Sequence, residues 1–245
     1  MDTAGRLTTS ELSRLGAAPR VNPRLFYTVL PLAMFVSVLV GFAPSYYLKT
    51  LYGTRELPLL YHVHGVAFTC WMLLMILQPA LVATGRTPLH RRIGVAGGAL
   101  AALMTVLAFF MTIAAPWRDG PPTIQALTFL TIPFGTVLVF PAFVGAALWW
   151  RAFPATHKRL MMIATMEMLA AGVGRWPWVG QFGPLGFFGA TDLALVALLV
   201  HDRMTLKRFH PATLWGGALL IASQVARVLM SGTSTWLSFA TWLTS

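Results

Sequence analysis

Apolar stretches long enough to cross a membrane recur along almost the whole chain. A transmembrane helix needs about 20 mostly apolar residues to span roughly 30 Å of hydrocarbon. Seven stretches meet that requirement, at residues 25–48, 59–84, 93–115, 124–150, 158–178, 184–201 and 211–231. The loops between them are too short to hold a soluble catalytic module. We therefore expect an all-α integral membrane protein, built as a bundle of seven transmembrane helices.

The composition excludes a soluble globular protein. Of the 245 residues, 57% are hydrophobic and only 10% are charged, whereas roughly 25% of the residues of a soluble domain are charged. The net charge of +11 would suggest nucleic acid binding if the cations formed one patch. They lie at the ends of the apolar stretches instead, so we expect anionic lipid headgroups as their partners and no nucleic acid.

The positions of the cations predict how the chain is oriented. Of the 18 Lys and Arg residues, most fall on one side of the predicted bundle, and cytoplasmic loops are the ones that carry such an excess. The N terminus is therefore predicted to be cytoplasmic and the C terminus to lie outside. Residues 1–24 would form a basic cytoplasmic tail, 25–231 the transmembrane domain and 232–245 a short outer tail. The cations on the predicted cytoplasmic side are Arg6, Arg14, Arg20, Arg24, Arg86, Arg91, Arg92, Arg151, Lys158, Arg159, Arg203, Lys207 and Arg208.

Several familiar mechanisms have no support in the sequence. Phosphate-binding loops, zincin motifs and the hydrolase nucleophile elbow are all absent. Cys70 is the one cysteine, which excludes a disulfide framework and a CxxC site. The seventh span has no lysine that could bind retinal as a Schiff base.

A few polar side chains interrupt the predicted spans. A charge in a span is costly and usually faces the interior of the bundle or a cavity. Glu167 is predicted near the middle of the bilayer, and the others in its outer half. We expect them to converge with two histidines on one polar pocket. The members are Glu167, Arg175, Asp192, Gln224, Arg227, His62 and His64.

His62 and His64 open the second span. Residues two apart on a helix point about 200° apart, so both can face one site only if the helix begins irregularly between them. The helical stripe that contains His64 also contains Trp71 and Gln78. It is the more polar stripe, so His64 is expected to face the interior.

These side chains allow a metal site or a purely structural role. His64, with His62, Asp192 and Glu167, could hold a zinc or iron ion, with Gln224 and Arg227 as supporting groups. Alternatively, Asp192–Arg227 and Glu167–Arg175 could be ion pairs that hold helices together. Plain packing is favoured over copper binding for the methionine cluster. The methionines concerned are Met161, Met162, Met166 and Met168.

Two resemblances add to this interpretation. The segments HGVAFTCWMLLMILQPALVATGRTPLHRRIG, HKRLMMIATMEMLAAGVGR and PATLWGGALLIASQVAR resemble an uncharacterised family of bacterial multi-pass membrane proteins. LHRRIGVAGG is similar to cytochrome b561-type membrane haem proteins, in which facing histidines bind haem. That similarity would make His90 and His157 ligands of haem b. An interfacial role is the alternative for these two histidines and for His201 and His210.

Three classes of function stay open. The first is a redox or metal protein that exchanges electrons with quinone or a redox partner. The second is a proton-coupled transporter that uses Glu167 and Asp192, with movement of the fourth span at Pro133 and Pro141. The third is a non-catalytic membrane scaffold or assembly factor. The predicted location is the bacterial inner membrane.

Overall fold

The described part of the chain is helical throughout. The structure, a computed structural model, describes residues 23–54 and 56–245. Most of the predicted cytoplasmic tail, including Arg6, Arg14 and Arg20, therefore lies outside the described residues. The elements are α1 Pro23–Phe42 with a π-helical turn Ala43–Tyr47, α2 Leu59–Ala83, α3 Thr87–Ala114 with a 3₁₀ turn Ala115–Trp117, α4 Ile124–Phe129, α5 Thr131–Trp149, α6 Pro154–Glu167, α7 Leu169–Val173, α8 Pro177–Gly180, α9 Gly183–Leu206, α10 Pro211–Met230 and α11 Ser234–Thr244.

Six helical segments in the described residues are long and apolar enough to cross a membrane. They are Leu25–Tyr47, Leu59–Ala83, Thr87–Trp117, Ile124–Trp149, Gly183–Leu206 and Pro211–Met230. These segments match six of the seven predicted spans. The all-α prediction is confirmed for the described residues, and the chain has the architecture of a membrane-embedded helical bundle.

The remaining predicted span, 158–178, is divided into shorter helices. The helical hydrogen-bond ladder is interrupted at Met168, whose N–H bonds to the Thr165 carbonyl at 3.2 Å, three residues back rather than four. A second interruption follows at Gly174, and Pro177 begins α8. The expectation of a continuous fifth helix is therefore wrong.

Helix α6 and the start of α7 occupy the centre of the bundle. Side chains from residue 162 to residue 169 are all buried, so this most polar helix is shielded by its neighbours. Ile163 and Met166 have no exposed surface, and Met162 and Met168 join the same apolar core. The methionine cluster thus packs as the sequence predicted.

Three helical hairpins bring the basic loops together at one end of the bundle. Arg159, at the start of α6, bonds to Asp202, near the end of α9, and Lys158 lies over the Tyr27 ring in α1. The turns that follow α2, α5 and α9 meet at this end, and we call it the basic end. The other end of the bundle is called the opposite end.

The last residues form an ordered helix. Trp236 in α11 donates from its indole nitrogen to the Leu127 carbonyl at 2.9 Å. Trp117 donates in turn to the Thr244 carbonyl at 2.9 Å. The segment predicted as a short outer tail is therefore mostly a helix that packs on α4.

Candidate functional site

A buried ion pair joins α6 to α10. The Glu167 carboxylate accepts from Arg227 Nη2 at 2.6 Å, and the two side chains are 1% and 6% exposed. Thr136 on α5 donates a second hydrogen bond to Glu167 at 3.0 Å. Arg227 also donates to the Ser223 hydroxyl at 3.0 Å. The pair therefore connects three helices at the point where α6 ends.

Asp192 and Gln224 lie beside this pair. Gln224 Nε2 donates to Asp192 Oδ1 at 3.0 Å, and Asp192 is close enough to Glu167 for their charges to interact. The sequence alternative paired Asp192 with Arg227 and Glu167 with Arg175. The structure instead pairs Glu167 with Arg227 and gives Asp192 the Gln224 amide as its partner.

Arg227 is not fully bonded. Its Nε atom is buried and has no hydrogen-bond partner among the described residues. Its Nη1 atom has only long contacts, at 3.4 Å to the Thr136 hydroxyl and 3.5 Å to the Ile132 carbonyl. Gly135 makes room for the guanidinium, since a Cβ built there would lie 2.2 Å from Arg227 Nε. The site thus has an arginine with spare donor capacity next to a carboxylate.

Arg175 lies apart from this cluster. Its guanidinium donates to the Ala171 carbonyl and lies 4.0 Å from the centre of the Phe42 ring. No carboxylate among the described residues pairs with it. It therefore bonds to α7. The Glu167–Arg175 ion pair that the sequence allowed is wrong, because Glu167 pairs with Arg227.

The two opening histidines separate as the helix geometry requires. Helix α2 begins at Leu59, before both of them, so they point in different directions. His64 stacks on Phe68 with ring centres 4.1 Å apart, and its Nδ1 atom is buried without a partner among the described residues. His62 lies on another face, near the Tyr46 ring. The predicted pocket is thus divided. His64 lies close enough to Arg175 for their charges to interact, whereas His62 lies beside Tyr46 and outside the pocket.

The predicted metal ligands are not gathered into a coordination site. Within residues 23–54 and 56–245, no group of three or more His, Cys, Asp and Glu side chains is arranged to hold a metal ion. Glu167 is bonded to Arg227 and Asp192 to Gln224. The zinc or iron centre built from His64, His62, Asp192 and Glu167 has no support in this geometry.

A second buried ion pair lies at the basic end. Arg159 Nε donates to both oxygens of Asp202, at 3.0 and 3.2 Å, and the two side chains are 3% and 0% exposed. The carboxylate also accepts from the Thr213 hydroxyl at 2.6 Å and from the His210 N–H at 3.2 Å. Arg159 donates further to the Ala155 carbonyl at 2.8 Å. This pair ties α6, α9 and α10 together and is richly hydrogen-bonded.

His201 lies next to that pair in an aromatic environment. Its ring stacks on Phe26 at 4.0 Å and meets the Tyr27 ring edge-on at 5.2 Å. Both ring nitrogens, and the Tyr27 hydroxyl, are buried without a hydrogen-bond partner among the described residues. The interfacial role that the sequence allowed for His201 is wrong, because the ring packs inside the bundle.

His90 and His157 are neighbours at the basic end, but their hydrogen bonds differ. His157 Nδ1 lies 2.7 Å from the Ala147 carbonyl, so it donates and leaves Nε2 free, as in a metal ligand. The Gln78 side-chain oxygen accepts from the Gly94 N–H, and its nitrogen donates to the His90 carbonyl and to His90 Nδ1. The neutral His90 ring then carries its proton on Nε2. These contacts suit a haem ligand at His157 but not at His90, so the two histidines do not fit a haem held by both rings.

The sequence interpretation missed Asp202 and Arg159 as a buried pair. Arg159 was counted only among the cytoplasmic cations and Asp202 was not considered, yet Asp202 is the one acid near the basic helix ends outside the N-terminal tail. A second signal was available in α10. Its buried residues recur at helical spacing, and polar ones stand at both ends of the stripe, at Thr213 and at Gln224 and Arg227.

The fold and site together define a multi-pass helical membrane protein with two buried ion pairs at different depths. Comparison with family models, with curated proteins and with solved structures gives no match.

Proposed function

We propose that this protein is a proton-coupled membrane transporter in which Glu167 binds the proton and Arg227 is its counter-ion. The observation that carries the proposal is the buried Glu167–Arg227 pair at the break between α6 and α7. Ionisable groups inside a membrane bundle commonly mark ion pathways and proton relays. Interrupted helices at such groups are the usual construction of transporter binding sites.

The proposal includes a seventh crossing made by α6 and α7, with the N terminus in the cytoplasm of a bacterial cell. Helix α5 ends at the basic end, and α9 ends there too, so the chain has to cross between them. The 14 residues of α6 and 5 residues of α7, with Met168 between them, reach about 30 Å at 1.5 Å per residue. That length is close to the thickness of the hydrocarbon layer.

Protonation of Glu167 would release Arg227. A proton bound to the carboxylate removes its charge, so the attraction to the guanidinium falls while Arg227 stays charged. The freed Nη2 atom, with the unpartnered Nε, could then bind the anionic group of a solute. Proton and solute would thus share one site, and the departure of the proton would restore the ion pair.

An apolar layer separates the Glu167–Arg227 pair from the Arg159–Asp202 pair. Ile163, Leu198 and Leu220 have no exposed surface, and they come from the three helices that also carry the two ion pairs. A solute can pass only if this layer opens. Helix α7, which is interrupted at both of its ends, is the element best placed to move.

Infrared difference spectroscopy of the reconstituted protein tests proton binding without a known solute. Spectra recorded across a pH series should contain a protonated carboxyl band that Glu167→Gln removes. Glu56→Gln is the matched control, because Glu56 is an exposed acid bonded to Lys49 outside the apolar segments. A spectrum that Glu167→Gln leaves unchanged at every pH would contradict the proposal, since the pair would then be permanently charged.

Transport itself is tested in liposomes that contain a trapped pH indicator. We expect one member of a panel of organic anions to drive proton entry with the native protein. Glu167→Gln should abolish this entry, and Glu56→Gln should leave it intact. Equal proton entry with both variants would also contradict the assignment of Glu167.

A further inference from the structure

A groove runs along the bundle between α5 and α10. Its volume is about 990 Å³, at the upper end of the usual range for ligand pockets. It begins at the basic end, beside Trp150 and Arg208, and extends to Ser223 in the interior of the bundle. Between these ends its walls are mainly apolar, with Leu138 and Leu219 among them.

The basic end of the groove is suited to an anion. Arg208 is exposed there and lies close enough to His210 for their charges to interact. None of the described lining residues is acidic. The nearest carboxylate, on Asp202, is already bonded to Arg159 and Thr213. The groove therefore has an unneutralised positive charge at its mouth.

His210 presents a hydrogen-bond donor at the same place. Its Nδ1 atom accepts from the Ala212 N–H at 3.1 Å, so the proton of the neutral ring is on Nε2. Burial, and then the positive charge of Arg159, lower the pKa of His210 from its ordinary value. At neutral pH the ring is thus a neutral donor beside the Arg208 guanidinium.

The length of the groove matches one leaflet of a bilayer. From Pro211 to Ser223 the helix rises about 18 Å at 1.5 Å per residue, and half of a roughly 30 Å hydrocarbon layer is about 15 Å. Trp150 and Trp215 line the mouth, where tryptophans at a membrane interface are expected. A charged mouth followed by an apolar channel of this length has the form of a phospholipid.

We propose that the groove between α5 and α10 is a binding site for an anionic phospholipid. Its phosphate contacts Arg208 and His210, and one acyl chain lies along α5 and α10 towards Ser223. This site does not depend on proton binding by Glu167. It does reach the same region, because the Ser223 hydroxyl accepts a hydrogen bond from Arg227.

Quenching of tryptophan fluorescence by brominated lipids measures binding to the detergent-solubilised full-length protein. The probes are phosphatidylglycerol and phosphatidylcholine with identical brominated chains, and Trp215→Phe identifies the part of the signal from the groove. We expect phosphatidylglycerol to bind about fivefold more tightly, the effect of one cation near a membrane surface. Arg208→Gln should remove this preference, whereas Arg92→Gln, at an exposed cation of α3 outside the groove, should preserve it.

A second variant tests the apolar channel. Ala142 is exposed and lines the groove, so Ala142→Phe should fill it and weaken the binding of both lipids severalfold. Ala102→Phe, at an exposed position of α3, is the matched control and should bind as the native protein does. Equal binding of the two lipids by the native protein would overturn the proposal. Unchanged lipid binding in Ala142→Phe would also overturn it. So would displacement of the phospholipid by a stoichiometric amount of free fatty acid, or its displacement when two copies of the protein form a dimer.

Discussion

At the residue scale, the two buried ion pairs differ in how completely their polar atoms are bonded. Asp202 accepts from Arg159, Thr213 and the His210 backbone. Arg227, by contrast, keeps an unpartnered Nε among the described residues. A fully bonded pair resists rearrangement, whereas one with spare donors can exchange partners. We therefore assign a structural role to Arg159–Asp202 and keep the functional role for Glu167–Arg227.

Removal of one partner from the structural pair should strongly destabilise the protein. Asp202→Ala leaves the Arg159 charge buried without a counter-ion, which typically costs about 3–5 kcal/mol. The thermal unfolding midpoint of the detergent-solubilised variant should therefore fall well below that of the native protein. Lys49→Gln, which breaks the exposed Lys49–Glu56 pair, should change it little. Similar midpoints for the two variants would contradict the structural assignment.

Gly135 is expected to control the position of Arg227. In Gly135→Ala the new Cβ would lie 2.2 Å from Arg227 Nε, so the guanidinium has to move away from Glu167. We expect a loss of stability of about 1–3 kcal/mol, as for other overpacked sites, together with a change in the carboxyl band of Glu167. Gly145→Ala is the control on the same helix, because nothing lies within 4 Å of its Cβ position. If both variants behave alike, Gly135 has no role in placing Arg227.

The sequence predicted which residues form the site better than it predicted their pairing. Glu167, Asp192 and Arg227 stand out because a charge is rare in an apolar span, and the structure does bring them together. Which acid meets Arg227 depends on how α6, α9 and α10 are rotated against each other, and no local pattern encodes that rotation. His64 faces the interior as its stripe with Trp71 predicted, since Trp71 is fully buried.

At the element scale, the start of α10 is stabilised by an unusual cap. His210 accepts the Ala212 N–H through its imidazole Nδ1, a role that Ser, Thr, Asp or Asn usually performs. A protonated imidazole has no acceptor atom. The cap therefore exists only while the ring is neutral.

The stability of the protein should fall as the pH is lowered through the range in which His210 titrates. Its pKa is lowered by burial and then by Arg159, so the unfolded chain takes up a proton near pH 6.5 while the folded chain does not. Stability is then greatest above that pH and decreases below it. His210→Asn should keep a cap worth about 0.5–2 kcal/mol and reduce the pH dependence. Unfolding midpoints of the native protein and of His210→Asn, measured over a pH series, check this. The same pH dependence in the two proteins would exclude a contribution from the His210 cap.

The contact between α1 and α7 depends on glycine. A Cβ on Gly41 would lie 2.0 Å from the Gly172 carbonyl oxygen, and a backbone atom cannot move as a flexible side chain does. Close backbone approach at small residues is a common means of joining helices in membranes. Gly41→Ala should therefore separate α1 from α7 and lower the unfolding midpoint. Gly189→Ala on α9, with nothing within 4 Å of its Cβ position, should be neutral, and equal effects would show that the contact contributes nothing.

Six predicted spans appear as helices within a few residues of their predicted bounds, except that α3 begins at Thr87 and α9 continues to Leu206. These extensions are polar and basic turns that carry helices beyond the apolar stretch. The division of the remaining span was not predictable at Met168, which is neither glycine nor proline. The break coincides with the tertiary contact of Glu167 with Arg227, which a sequence pattern does not contain.

At the scale of the whole molecule, the direction of each helix follows from the basic end. The turns after α2, α5 and α9 meet there, so α6 and α10 both leave from that end. α9 has to begin at the opposite end in order to finish at the basic end. The proposed crossing by α6 and α7 would supply this passage from the basic end to the start of α9, although these helices are too short and polar to be recognised as a span by themselves.

The proposed crossing predicts that the C terminus and the basic loops lie on different sides of the membrane. In a Cys70→Ser background, which removes the one cysteine of the chain, single cysteines can be placed by Arg151→Cys at the basic end and by Ser245→Cys after α11. A membrane-impermeant maleimide should label Ser245→Cys in intact cells and Arg151→Cys only after permeabilisation. Glu56→Cys, in the loop between α1 and α2, serves as the outer control. If α6 and α7 did not cross, α10 would end on the side of Arg151, and the two cysteines would be labelled together.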